Sequence, residues 1–182
     1  MRVLMLDAPQ AMLDERRRLG QDKRDEVWDG VLHMVPPPGD AHQEFAYLFM
    51  KVVGPLAERR GLLPRHEPGL YRSDTDYRVP DLAFARPEHR SESGLSGAQL
   101  VGEIRSDGDE AYEKLDFYAA VGVQEMLVLH PRSRRVELFR NVEGRMLPFQ
   151  PGAGVYSEVL GVSMQVEDDE LVVTWDGGSA RV

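Results

Sequence analysis

The apolar positions change period several times along the chain, and each change marks an element. In Glu26-Val27-Trp28-Asp29-Gly30-Val31-Leu32-His33-Met34-Val35 two β-favouring runs flank an Asp-Gly pair, which accepts the positive φ of a tight hairpin turn. Pro36-Pro37-Pro38-Gly39 cannot continue a strand ladder. Beyond it Phe45, Leu48, Phe49, Val52, Val53 and Leu56 recur at three and four, predicting a helix over 41–60 with Asp40 as its cap. A shorter helix is expected over 8–19, where Met12 and Leu19 share a face and Gly20 provides the stop.

Between 61 and 79 short runs separated by Pro64, Pro68, Gly69 and Ser73-Asp74-Thr75-Asp76 suit two brief strands and a turn. Strands are predicted at 81–86 and 99–105, then a helix from about 109 to 121 closed by Gly122. The run 125–130 is almost continuously apolar, as an interior strand covered on both faces should be, whereas 135–140 alternates like a half-exposed strand. Weak strands at 146–149, 162–166 and 171–175 follow, with Glu167-Asp168-Asp169-Glu170 as an acidic turn. There is no internal repeat and no linker composition, so one domain over 1–182 is expected.

Composition narrows the function. A chain of 182 residues with 42% hydrophobic content can bury one core. Its net charge of −9 argues against broad electrostatic attraction to nucleic acid or an anionic membrane, so any polyanion must be held locally. With no cysteine there is no disulfide, thiol nucleophile or thiolate metal site. Asp7, Asp14 and Glu15 stand where a secretory signal would need basic residues, and no stretch approaches a membrane span, so a soluble cytoplasmic protein is expected. Gly-x-Ser-x-Gly, Gly-x-Gly-x-x-Gly and phosphate-loop motifs are absent, and the five histidines are too scattered for a zinc pair.

What remains is an acidic pair. Asp81 and Glu103 each sit at the edge of a predicted strand with apolar residues to anchor them, and neighbouring strands would bring the two carboxylates together. With a backbone carbonyl such as that of Ile104 they would form an oxygen-rich site for Mg²⁺ or Mn²⁺, an arrangement suited to phosphodiester cleavage. The plainer alternative is that Asp81 opens a strand after a proline and Glu103 is one of 31 acidic residues on a solvated surface. Lys114 shifts the balance. On a helix with Ala111, Leu115, Tyr118 and Ala119 as core stripe it lies about 60° from that stripe, leaning towards the end joined to Glu103. A snorkelling lysine is the alternative. His42, at the start of the long helix, would touch a phosphate, orient a carboxylate or, more commonly, serve as a structural hydrogen bonder. Arg16-Arg17-Arg18 with Lys23-Arg24, and Arg132 with Arg134-Arg135, would meet a DNA backbone if they face the site, and are otherwise solvated surface.

The ordered blocks Glu26-Val27-Trp28-Asp29-Gly30-Val31-Leu32, Pro36-Pro37-Pro38-Gly39 with His42, Pro80-Asp81, Glu103-x-x-Ser106, and Glu113-Lys114-Leu115-x-x-Tyr118-x-x-x-Gly122-Val123-x-Glu125 resemble the Uma-two family of restriction-endonuclease-like proteins, within the PD-(D/E)XK nuclease superfamily. The resemblance implies an α/β (α+β) restriction-endonuclease-like core, a mixed central β-sheet flanked by helices, with an N-terminal helix and β-hairpin. It implies Asp81 and Glu103 at an Mg²⁺ or Mn²⁺ ion and Lys114 as the lysine moved from the strand into the following helix. Glu26 matches the acidic residue of the family's first hairpin, with a role at a second metal or a metal-bound water; a surface strand position is the alternative. The sequence departs from its relatives at Arg105, a guanidinium that can stabilise phosphoryl charge but cannot act as a base. It departs again in Ser106-Asp107-Gly108-Asp109, which decides whether Lys114 can reach the metal, and at His130.

Three functions follow as expectations. The first is a Mg²⁺-dependent endonuclease acting on DNA, for which a homodimer would suit the fold. The second is a nuclease-fold module that binds DNA or protein without cleavage. The third is a metal-dependent hydrolase of smaller phosphate esters.

Overall fold

The hairpin read from Asp29-Gly30 forms, with φ of 47° at Asp29 and 87° at Gly30, the left-handed pair a two-residue turn requires. In the computed structural model, which describes residues 3–5, 8–106, 108, 110–149, 152 and 154–182, the chain begins with β1 (Val3–Met5) and α1 (Gln10–Arg18), followed by the hairpin strands β2 (Glu26–Trp28) and β3 (Val31–Met34). Then come α2 (Asp40–Arg59), β4 (Leu63–His66), β5 (Leu70–Ser73), β6 (Asp76–Arg78), β7 (Leu82–Ala85) and β8 (Leu100–Ile104). The second half holds α3 (Leu115–Ala120), β9 (Glu125–Leu129), β10 (Val136–Val142), β11 (Arg145–Pro148), β12 (Gly154–Ser157), β13 (Val162–Glu167), β14 (Glu170–Trp175) and β15 (Gly178–Arg181).

The fold is mixed α+β. The central sheet runs β11-β10-β9-β8-β7-β4, antiparallel throughout except that β8 and β9 are parallel. A parallel neighbour needs a crossover, and the segment containing α3 supplies it. Alternation sends Leu82, Phe84, Leu100, Leu127 and Leu129 to one face, against Phe45, Phe49 and Val53 of α2. Ala83, Ala85, Val101, Met126 and Val128 go to the other, against Phe117 and Tyr118. Both faces are covered, which is why 125–129 reads as an unbroken apolar run.

The hairpin belongs to a second sheet, β1-β3-β2-β6-β5, and the tail forms a third, β12-β13-β14-β15. The region 61–79 holds three strands where two were expected. Pro68-Gly69 interrupts the chain there, so that β4 joins β7 in the central sheet while β5 turns back on β6, with Tyr71 stacked on Tyr77 at 4.7 Å. β1, β12 and β15 were not expected; β15, Gly-Ser-Ala-Arg, carries little β signal of its own, and in β12 the signal is confined to Val155-Tyr156. The acidic turn is present, with Asp168 and Asp169 at φ of 50° and 64°. Asp40 is the first residue of α2 rather than its cap; Gly39 occupies that position. Among the described residues no helix is long and apolar enough to cross a membrane.

One buried acid joins two sheets. Glu125, which opens β9, accepts from Ser157 Oγ at 2.5 Å and from the N–H groups of Glu158 and Val159 at 3.0 and 3.3 Å, with Arg140 Nε 3.3 Å away. Glu125→Ala leaves the Ser157 hydroxyl and the Glu158 and Val159 N–H groups without their acceptor while Arg140 keeps Glu158 at 2.9 Å, so an expected loss of about 1–3 kcal/mol follows. Urea unfolding measures it, and a variant as stable as wild type removes Glu125 from this role.

Candidate active site

β7 and β8 pair with Leu82 opposite Gly102 and Ala83 opposite Val101. Continuing that register by one step sets Asp81 opposite Glu103, on the sheet face that carries Ala83 and Val101. Directly opposed residues have Cβ atoms roughly 4.5–5.5 Å apart. Asp81 is held at both oxygens: Oδ2 accepts the Ile104 N–H at 2.7 Å, and Oδ1 lies 3.0 Å from His42 Nε2. The other nitrogen of that imidazole lies 3.3 Å from Ser106 Oγ.

Glu103 faces a cation from the following segment. Lys114 Nζ donates to its two oxygens at 3.1 and 3.2 Å and to Glu26 Oε1 at 2.8 Å, and the Tyr118 hydroxyl makes a short bond to Glu103 Oε1. Glu26 is itself fixed, accepting from Trp28 Nε1 at 2.7 Å and from the Val79 N–H at 2.8 Å. Glu26, Glu103 and Lys114 are all buried. A surface position for Glu26 is thereby excluded, and Lys114 lies inside the core rather than snorkelling.

The helix expected from about 109 begins later. Residue 109 lies outside the described residues; a 3-10 turn covers Tyr112–Lys114 and α3 starts at Leu115. Lys114 thus stands at the junction, where its ammonium reaches Glu103 and Tyr118 follows one α-turn later on the same side. The loop on which this reach depends is described only at Ser106, Gly108 and from Glu110 on.

Burial pushes the Glu103 carboxyl up to about 8; Lys114 pulls the other way, Asp81 and Glu26 add like charge, and the Tyr118 hydroxyl opposes them. Burial works against the Lys114 charge, but Glu103 and Glu26 outweigh it and hold the ammonium above its ordinary value. Tyr118 is raised by burial and then by the same acids. In the metal-free protein the folded state therefore binds the Glu103 proton more tightly than the unfolded chain does. The stability this contributes is complete below about 4.5, the ordinary carboxyl value, and is lost as pH rises through about 8. Urea midpoints measured with a chelator are expected to fall across that window, and Glu103→Gln is expected to flatten the fall; an unchanged slope in the variant rules this out.

Four of the five expected site residues, Glu26, Asp81, Glu103 and Lys114, border one cavity of about 310 Å³. Arg105 does not line it: its guanidinium lies 4.9 Å over the Tyr112 ring. Pro36-Pro37-Pro38, Ser106 and Gly108 also line the cavity. Of the basic clusters, Arg24 lines the cavity beside its ion-pair partner Glu67, whereas Arg16 binds Asp25 at 2.7 Å and Arg18 binds Glu15 at 2.6 Å. Arg134 lies over Phe45.

Sequence reasoning left Tyr118 in the core stripe and ranked His42 below the acids. The available signals were the i, i+4 spacing of Lys114 and Tyr118 and the joint presence of His42 and Ser106 in the ordered blocks.

The donor chemistry suits a hard divalent cation. Asp81 and Glu103 offer carboxylate oxygens on adjacent strands, and the like charge that Asp81 and Glu26 place around Glu103 is one a cation would offset. Among the described residues no three His, Asp or Glu side chains form a ready-made cage. Mg²⁺ characteristically takes only one or two carboxylates and fills its shell with water and phosphate oxygens.

A mixed sheet flanked by helices, with two acids facing each other across a strand pair and a lysine delivered by the next segment, defines the restriction-endonuclease-like class. The chain belongs to the Uma2 family, described as "putative restriction endonuclease", whose pattern matches residues 11–167. In structure it is similar to a crystal structure described as "a putative nuclease belonging to DUF820" from Anabaena variabilis, with a TM-score of 0.63, 19% identity, and 81% of this chain and 89% of that chain covered. That likeness shows the fold. A DrdV–DNA complex matches at a TM-score of 0.34 and 15% identity, over 54% of this chain and 9% of that one. No curated protein sequence matches the chain.

Proposed function

We propose that this chain is a divalent-metal-dependent endonuclease that hydrolyses phosphodiester bonds of DNA. The observation that carries the reading is the strand register that opposes Asp81 and Glu103, with the Lys114 ammonium 3.1 Å from Glu103 beside one cavity. Asp81 and Glu103 would hold Mg²⁺ or Mn²⁺, which supplies Lewis-acid stabilisation of charge on the phosphoryl oxygens. Lys114, oriented by Glu26, adds positive charge next to the scissile phosphate. Tyr118 fixes the rotamer of Glu103.

Glu26 has two donors besides Lys114, which supports an orienting role over that of a second metal ligand. Arg105 would meet substrate only outside the cavity, by leaving Tyr112. With a net charge of −9 and the neighbouring arginines paired to acids, duplex binding would rest on contacts at the site itself. A homodimer would present two cavities to two strands, and a cytoplasmic location suits a DNA substrate.

One observation favours a second reading: both Glu103 oxygens already have partners, so Lys114 serves as an internal counter-ion. A nuclease-fold module that binds DNA without cutting it would look the same. Nicking of supercoiled DNA with Mg²⁺ or Mn²⁺, comparing wild type with Asp81→Asn, separates the two. Cleavage by wild type alone supports the enzyme, and DNA binding without cleavage supports the module.

A further inference from the structure

Asp81 stands one residue before β7 with its carbonyl accepting the Glu67 N–H at 2.9 Å, so strand pairing fixes its backbone but not the plane of its carboxylate. Its carboxylate plane is set by two bonds from different elements. The β8 backbone reaches Oδ2 through Ile104 N–H, and α2 reaches Oδ1 through His42. A carboxylate only accepts, so the imidazole carries a proton on Nε2 when it bonds Asp81; in the neutral ring Nδ1 is then an acceptor, which the Ser106 hydroxyl matches as donor.

The ring is nearly enclosed, with its side chain 11% exposed. Both of its nitrogens have polar partners from the site.

We infer that His42 is a positioning residue for the cation site: it locks the Asp81 carboxylate through Nε2, while Ser106 holds its tautomer through Nδ1. The inference rests on the proposed cation site at Asp81 and Glu103. Two bonds to two different oxygens stop rotation about the terminal torsion, so the free lone pairs of Asp81 keep one direction into the cavity. With His42 gone, Ile104 alone would hold the group, and the carboxylate would swing about that single bond. Partners of this kind, behind a ligating carboxylate, characteristically change metal affinity by about 10–100-fold when removed.

Glutamine and asparagine distinguish this role from simple filling of the helix start. The amide nitrogen of glutamine reaches roughly where Nε2 sits and can donate to Asp81. The asparagine amide stops near the Nδ1 position, so it can meet Ser106 but not Asp81. Calorimetric titration of Mn²⁺ alone into wild type, His42→Gln, His42→Asn and Asp81→Asn, without DNA, tests the assignment. The expected order is wild type and His42→Gln close together, His42→Asn weaker by about 10–100-fold, and no binding in Asp81→Asn. Thermal unfolding of each variant confirms that the comparison is made between folded proteins. Equal affinity in wild type and His42→Asn, or a glutamine variant as weak as the asparagine one, overturns the positioning role while leaving the cation site standing. Absence of Mn²⁺ binding in wild type overturns the cation site and this inference with it.

Discussion

Supercoiled DNA incubated with Mg²⁺ is expected to be nicked by the wild-type chain and to stay intact with Asp81→Asn, a fall of about 10²-fold or more. The scale follows from the several kcal/mol of charge stabilisation a metal supplies, at about 1.4 kcal/mol per tenfold in rate. Asparagine keeps the size of the side chain and an oxygen for the Ile104 N–H, so the β7–β8 junction should survive. What it removes is the charge on one of the two strand-opposed acids. Thermal unfolding close to wild type, combined with lost nicking, is the expected pair of results. Equal nicking by both proteins would falsify the role of Asp81, and no nicking by either, with Mg²⁺ or Mn²⁺, would sink the endonuclease reading.

The second large effect is expected in stability. Lys114→Met removes the ammonium between Glu26 and Glu103, leaving two buried carboxyls without their counter-ion. Breaking a buried pair from one side costs about 3–5 kcal/mol. For a chain of this size each kcal/mol moves the midpoint by about 2–4 °C, so Tm should fall by roughly 6–20 °C. Adding Glu103→Gln to Lys114→Met should recover part of the loss, because it removes one of the stranded acids. A Lys114→Met protein that melts with wild type would show that the cluster contributes nothing to folding.

The elements nearest the site were legible because their signals are local. Asp29-Gly30 specifies its own turn, Pro36-Pro37-Pro38 separates strand from helix, and Pro80-Asp81 and Glu103 border short apolar runs that can only be strands. Register then brings the acids together without further information. The features that escaped depend on contacts between sheets. Nothing in the alternation of β2 shows that Glu26 is buried, since its cover is Lys114, distant in sequence. Tyr118 is apolar by period, and only the fold aims its hydroxyl at Glu103. The split of 61–79 between two sheets is likewise a tertiary outcome, because β4 and β5 have similar local propensities and differ in which partner they find.

Lys114 also acts as a rivet. It ties the hairpin sheet, through Glu26, to the central sheet, through Glu103, so that under the proposed function the charge for chemistry and the cohesion of the fold would reside in one ammonium. Drift towards inactivity would then follow a set order. Asp81 and His42, at the strand edge and helix start, lie outside that clasp and would go first; Glu26, Lys114 and Glu103 would persist to keep the two sheets clasped. A relative retaining that trio but lacking Asp81 is the expected fossil of a nuclease, and the presence of the lysine alone would be a poor guide to whether such a protein still cuts.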